Sequence, residues 1–170
     1  MASILNVDQI NNAAGTSAIT IDSSGNALMA GHVVQVVSGV IPTSSESFTS
    51  TSYTASSLYV TITPKFSTSK VFITASLNMD YHTGQNASLA IYKDGSFLTP
   101  QGTSPYDGHY YFNRLTNSRI ITQQPIMAYD TSVGTTSAVT YKVYLKAHTG
   151  NVNIRHDLAV ETIVAMEIAQ

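Results

Sequence analysis

The chain has 170 residues, a formal net charge of −2 and no cysteine. Charged residues make up only 11%, less than half the usual share, so Ser, Thr, Asn and Gln fill most polar positions. Near-neutrality without a basic patch argues against a nucleic-acid partner, and the missing cysteine excludes disulfides, thiolate metal sites and a cysteine nucleophile. The length suits one domain with its own core. Residues 1–11 lack a positive stretch followed by an apolar one, so they do not read as a secretory signal. No run is long and apolar enough for membrane insertion as a spanning helix. The expectation is a soluble product made in the cytoplasm.

Ile4, Leu5, Val7 and Ile10 open the chain, followed by the turn-rich interval Asn11-Asn12-Ala13-Ala14-Gly15-Thr16. A short alternating run from Ala18 to Asp22 leads to a second turn signal, Ser23-Ser24-Gly25-Asn26. Two such strands bury little alone and need either the main domain or copies of themselves. The phrase Leu5-Asn6-Val7-Asp8-Gln9-Ile10, Ala13-Ala14-Gly15-Thr16 and Ile19-Thr20-Ile21-Asp22-Ser23-Ser24-Gly25 resembles the N-terminal segments of tail-fibre-like virion proteins of bacteriophages, many of them marine or cyanobacterial phages. That resemblance covers residues 1–30. The remainder resembles the β-sandwich heads of such proteins more loosely, through Thr162-Ile163-Val164-Ala165-Met166-Glu167-Ile168. The resemblance implies attachment to the particle through the N-terminal part, with Ile4, Leu5, Val7, Ile10, Ile19 and Ile21 as docking residues, and a distal head that contacts the host.

Residues 31–41 are apolar on both parities, with Val34, Val36 and Val40 on one and Val33, Val37 and Ile41 on the other. Such a strand is expected to be buried on both faces or to lie in a subunit interface, and Pro42 ends it. Residues 43–57 are mostly Ser and Thr, read as a loop at the start and a strand toward the end. Leu58, Val60 and Ile62 alternate up to Pro64, and Val71, Ile73, Ala75, Leu77 and Met79 form the longest clean run of period two. Ala87, Leu89 and Ile91 lead into Lys93-Asp94-Gly95-Ser96, where Asp-Gly signals a tight hairpin. Residues 99–118 read as irregular. Residues 119–129 are strand-like, with Pro125 marking an edge, bulge or break.

Tyr141, Val143, Leu145 and Ala147 then alternate with Thr140, Lys142, Tyr144 and Lys146, giving one apolar and one wet face. The expected pairing partner of this strand is 160–168, where Val160, Thr162, Val164, Met166 and Ile168 share a face. No stretch repeats apolar residues at helical spacing behind a cap. Roughly eight to ten strands with turn signals between them predict an all-β protein, an antiparallel jelly-roll β-sandwich. The domain reading is an N-terminal attachment segment over 1–30 and a head over 31–170. Apolar residues on both faces of 31–41 and of the last strand exceed what one core needs, which predicts self-association. Fibre-like proteins of the resembled family are typically trimers, so the expectation is a homotrimer.

No two of His32, His82, His109, His148 and His156 stand at a ligand-like spacing, so neither metal nor cofactor is expected. His82 beside Asp80 comes nearest to a metal site. Glu161 and Glu167 fall on the polar parity of the last strand, too far apart to share a substrate. No Gly-x-Ser-x-Gly and no phosphate-binding loop occurs, and no enzyme is expected. The richest recognition signal is Tyr106-Asp107-Gly108-His109-Tyr110-Tyr111-Phe112-Asn113-Arg114. Tyr and Arg give large contact area at low entropic cost. Tyr110 and Phe112 read equally well as core positions of a strand. Tyr106, Asp107, His109, Tyr111 and Arg114 are therefore the candidate receptor-binding residues, for a host surface glycan or protein. The resulting expectation is a virion protein, a tail fibre or receptor-binding adhesin, with a capsid decoration protein as the alternative.

Overall fold

The computed structural model describes residues 7–82, 84–98, 108–113, 119–158 and 161–170. Among them there is no helix, only strands. In chain order these are β1 (Gln9–Asn11), β2 (Ser17–Ile21), β3 (Ala27–Leu28), β4 (Val33–Ser38), β5 (Glu46–Phe48), β6 (Thr54–Ile62) and β7 (Lys70–Tyr81). They continue with β8 (Asn86–Lys93), β9 (Ser96–Phe97), β10 (Tyr110–Asn113), β11 (Ile120–Asp130), β12 (Val139–Thr149), β13 (Val152–Ile154) and β14 (Thr162–Ile168).

Two antiparallel sheets form a β-sandwich. The first runs β10-β8-β12-β6, with β9 extending the β10 edge along β8. The second centres on the long β7, which pairs with β11 over its length on one side. Its other side takes β14 along the first half and β13 at the far end, and these in turn carry β4 and β5. The clean alternation read in the sequence sets the core. Leu58, Val60, Ile62, Leu89, Ile91, Tyr141, Val143 and Leu145 from the first sheet meet Val71, Ile73, Leu77, Met79, Ile126 and Ile163 from the second in one cluster. Burying each large aliphatic chain contributes about 1.5–3 kcal/mol.

The central strand 140–147 does not pair with the last strand. β12 lies between β6 and β8, while β14 belongs to the opposite sheet. Alternation fixes which face of a strand is apolar but not which edge it joins, so two well-patterned strands can face each other across a core instead of pairing. The buried parity of β14 also differs from expectation. Ile163 and Ala165 enter the core, and Val164, Met166 and Ile168 are half-buried on the outside. Glu161 and Glu167, expected on the polar face, are fully buried on the core side. They are tolerated there because backbone N–H groups pair with them: Asn78 N donates to Glu161, and Lys65 N and Phe66 N donate to Glu167.

The strand expected to be covered on both sides, 31–41, is an edge strand in the single chain. Val33, Val36, Val40 and Ile41 are exposed, Val36 by 58%. Beyond β4 the chain crosses to the first sheet, where Val40 bridges Tyr59. Gly39 makes that crossing possible, since a Cβ there would lie 2.2 Å from the Tyr59 carbonyl oxygen. The Asp94-Gly95 hairpin is present, with both residues at positive φ (47° and 82°) and Tyr92 opposite Phe97. β1, β2 and β3 form a separate three-stranded meander, joined to the sandwich by residues 29–32. Asn12 and Asp22 side chains accept the turn N–H groups of Ala14, Thr16, Ser24 and Asn26 and so close its two turns.

Candidate functional site

Of the aromatic segment, Tyr106, Asp107 and Arg114 lie outside the described residues, as do Ile4 and Leu5 of the N-terminal set. Residues 110–113 form β10 at the rim of the first sheet, paired with β8. Phe112 points into the core and stacks on Tyr81 at 4.2 Å, and Tyr110 packs against the same cluster. Tyr111 faces outward and meets His148 edge-on at 5.8 Å. His109, read as exposed, is half-buried: its Nδ1 accepts the Ile91 N–H at 3.2 Å and its ring stacks on Phe97. Burial pushes its pKa below the ordinary 6.5, so it stays neutral at pH 7.

His109 belongs to a larger aromatic group that the sequence pattern did not single out. Tyr92 stacks on Tyr144 at 3.9 Å, Phe97 lies 5.2 Å from Tyr92, and Tyr53 touches both Tyr92 and Phe97. Lys146 sits over the Tyr53 ring and Lys142 over Tyr59. The group covers the outside of the first sheet. Tyr59, Tyr92 and Tyr144 fall on the polar parity of their strands, and that parity was the available signal; Tyr53 precedes β6.

The second sheet has a different exterior. Its outward positions form a cross-strand row, Val36, Met166, Phe72 and Tyr129, beside a second row containing Val164 and Met127. Met127 is 59% exposed and Tyr129 40%. None of the outward positions of β11, β14 or residues 72–76 carries a charge. In the N-terminal meander Ile10 is exposed, and Val7, Ile19 and Ile21 are half-buried.

An open cleft of about 550 Å³ lies where β5, β7, β11 and β13 converge. At its floor Asp80, nearly fully buried, accepts two hydrogen bonds from Arg119 (2.8 and 2.6 Å) and one from Arg155 (3.3 Å). The Arg119 hydrogen bond holds the Asp80 carboxyl below its ordinary 3.8, against the opposing effect of burial. Arg155 also forks onto Asp157, at 3.0 and 2.9 Å. His82, from the same strand end, lines the rim. Asp80 is thus paired with arginines, and His82 is not drawn into a ligand set with it. Among the described residues no three His, Asp or Glu side chains converge as metal ligands.

Two further polar networks are buried. His156 hydrogen-bonds through Nδ1 to Glu161, and its Nε2 lies 3.5 Å from Glu46. Burial lowers the His156 pKa, but the Glu161 hydrogen bond and charge, with Glu46 behind them, outweigh it and raise the value above 6.5. On the other flank Tyr141 donates to Asp130 at 2.7 Å, and Lys93 pairs with the same carboxylate. Burial and that carboxylate push the Tyr141 hydroxyl far above its ordinary pKa. Among the described residues no helix is long and apolar enough to cross a membrane. No family model matches the chain, and a search of curated proteins returns no match.

Proposed function

We propose that this chain is a bacteriophage virion protein whose N-terminal meander docks on the particle and whose head contacts the host surface. The observation that carries the reading is the contrast between the two outer faces of the sandwich. One is apolar and uncharged over β11, β14 and residues 72–76, and that patch is suited to repeated contact between identical copies, because an uncharged patch meets itself without like-charge repulsion. The other carries stacked tyrosines edged by lysines, the residue types that recognition surfaces favour. A homotrimer is the assembly we infer, with the meander's half-buried Val7, Ile19 and Ile21 completing their burial against other copies or the virion. A jelly-roll topology is supported by the path of the chain, which changes sheet between β6, β7 and β8 and again between β10, β11, β12 and β13. Residues Tyr106, Asp107, Tyr111 and Arg114 remain the proposed host-contacting segment, and the half-buried His109 is proposed to support it.

A second reading, a capsid decoration protein, is favoured by the short link between meander and head, where residues 29–32 leave no room for a shaft. Quantitative mass spectrometry of purified particles separates the two. A copy number set by tail symmetry supports the fibre, a number near that of the capsid lattice supports decoration, and absence from particles refutes both. For the fibre reading, Tyr111→Ala and Arg114→Ala are expected to reduce host adsorption; unchanged adsorption would remove the segment from the receptor site.

A further inference from the structure

The geometry points to the cleft beside Asp80 as a binding site for a carboxylated sugar, with Arg119, His82 and Asn153 as its donors. The inference rests on the reading of the head as the host-contacting part and names the ligand class it would take. The cleft opens on the outer face of the second sheet at the end of β7, where Asp80 points away from the inward Tyr81 that stacks on Phe112 of β10. Its volume, about 550 Å³, is that of a small-molecule site, and hydroxyl, amide, imidazole, guanidinium and carboxylate groups line it, the two carboxylates being Asp80 and Glu46.

The argument lies in which polar atoms are already engaged. The acceptors are engaged: both Asp80 oxygens hold arginine N–H groups, both Asp157 oxygens hold Arg155, and both Glu46 oxygens accept the Ser57 N–H. Several donors are not. Arg119 gives Nε and Nη2 to Asp80, its Nη1 bonds to no described residue, and the side chain is 48% exposed at the rim. The His82 ring and the Asn153 amide make no hydrogen bond to a described residue. A site rich in unengaged donors selects an acceptor-rich ligand, and a carboxylate meets a guanidinium edge with a charge-assisted bond. The buried Asp80 fixes the Arg119 plane beforehand, so little side-chain entropy is lost on binding. Ser47 Oγ of the wall donates to Asn151 and can accept from a sugar hydroxyl, whereas Ser45 Oγ already accepts from Arg155 Nε at 3.1 Å.

The test is an NMR titration of the full chain with glucuronate, glucose and acetate. Glucuronate is expected to give saturable shifts at His82, Arg119 and Asn153, with glucose and acetate about tenfold weaker or more, since each lacks half of the recognised chemistry. Arg119→Lys, which leaves Asp80 a cation, and His82→Ala, at an exposed position, are each expected to weaken glucuronate severalfold. If Arg119→Lys fails to fold, His82→Ala decides. No saturable shift, equal binding of acetate, or unchanged binding in His82→Ala overturns the inference and leaves the arginines as a structural ion-pair network. Competition with host adsorption separates this from the parent reading. Protein that blocks adsorption without binding glucuronate overturns the cleft alone; glucuronate binding without any block overturns the host-contact reading.

Discussion

Glu167 is where the structure departs most from the surface the sequence suggests, and its removal is the sharpest test of the fold. Its carboxylate is fully buried and accepts from Lys65 N at 2.8 and 3.0 Å, Phe66 N at 3.1 Å and Gln35 Nε2 at 2.5 Å. Glu167→Ala leaves two backbone donors and one amide without their acceptor. An unmet donor costs about 1–3 kcal/mol, at the low end for these part-buried N–H groups, and the amide retains its bond to the Thr63 carbonyl, so the loss works out at about 2–4 kcal/mol. Glu167→Gln keeps one oxygen and the shape and is expected to lose about 1–2 kcal/mol. Urea unfolding at fixed protein concentration, followed by circular dichroism, measures both. An exposed glutamate on a polar strand face would change stability by less than about 0.5 kcal/mol. If Glu167→Ala falls in that range, or matches Glu167→Gln, the buried-acceptor argument is wrong.

The His156 pKa is raised above 6.5, so its contribution to stability is fully present below the unfolded value and is lost as pH rises through the folded one. Melting temperature is expected to fall from pH 6 toward pH 9, and His156→Gln should flatten that slope; an equal slope in the variant removes His156 as the cause. Gly39→Ala places a methyl 2.2 Å from the Tyr59 carbonyl and 2.4 Å from Ile163 Cγ2, and is expected to destabilise by about 2–3 kcal/mol or prevent folding. Wild-type stability would show that the crossing can shift. Tyr141→Phe removes the bond to Asp130 while keeping the ring in the core, for a loss of about 1–2 kcal/mol in denaturant midpoint measurements. Met127→Lys and Val36→Lys, both at exposed positions, should leave folding intact and turn a multimer into a monomer by light scattering; a monomeric wild type refutes the self-association surface.

The all-β class and the inward residues of β6, β7, β8 and β12 could be read directly from the chain, because a period of two is a property of each strand alone. Asp94-Gly95 was equally local, since only residues tolerant of positive φ close so tight a turn. The segment 106–114 was legible in half: the parity of Tyr110 and Phe112 offered a core strand, and the structure realises it. What tertiary structure alone decided is everything that depends on a second segment. Whether β14 pairs with β12 or faces it depends on which edges other strands occupy. Whether Glu161 and Glu167 are wet or buried depends on N–H groups of Asn78, Lys65 and Phe66, which lie about 80 to 100 residues away in the chain. The cleft likewise draws Asp80, Arg119 and Arg155 from three strand ends, with no spacing to announce it. Patterning specifies faces locally; edges, buried charges and sites are settled only when distant segments compete for the same donors and the same core.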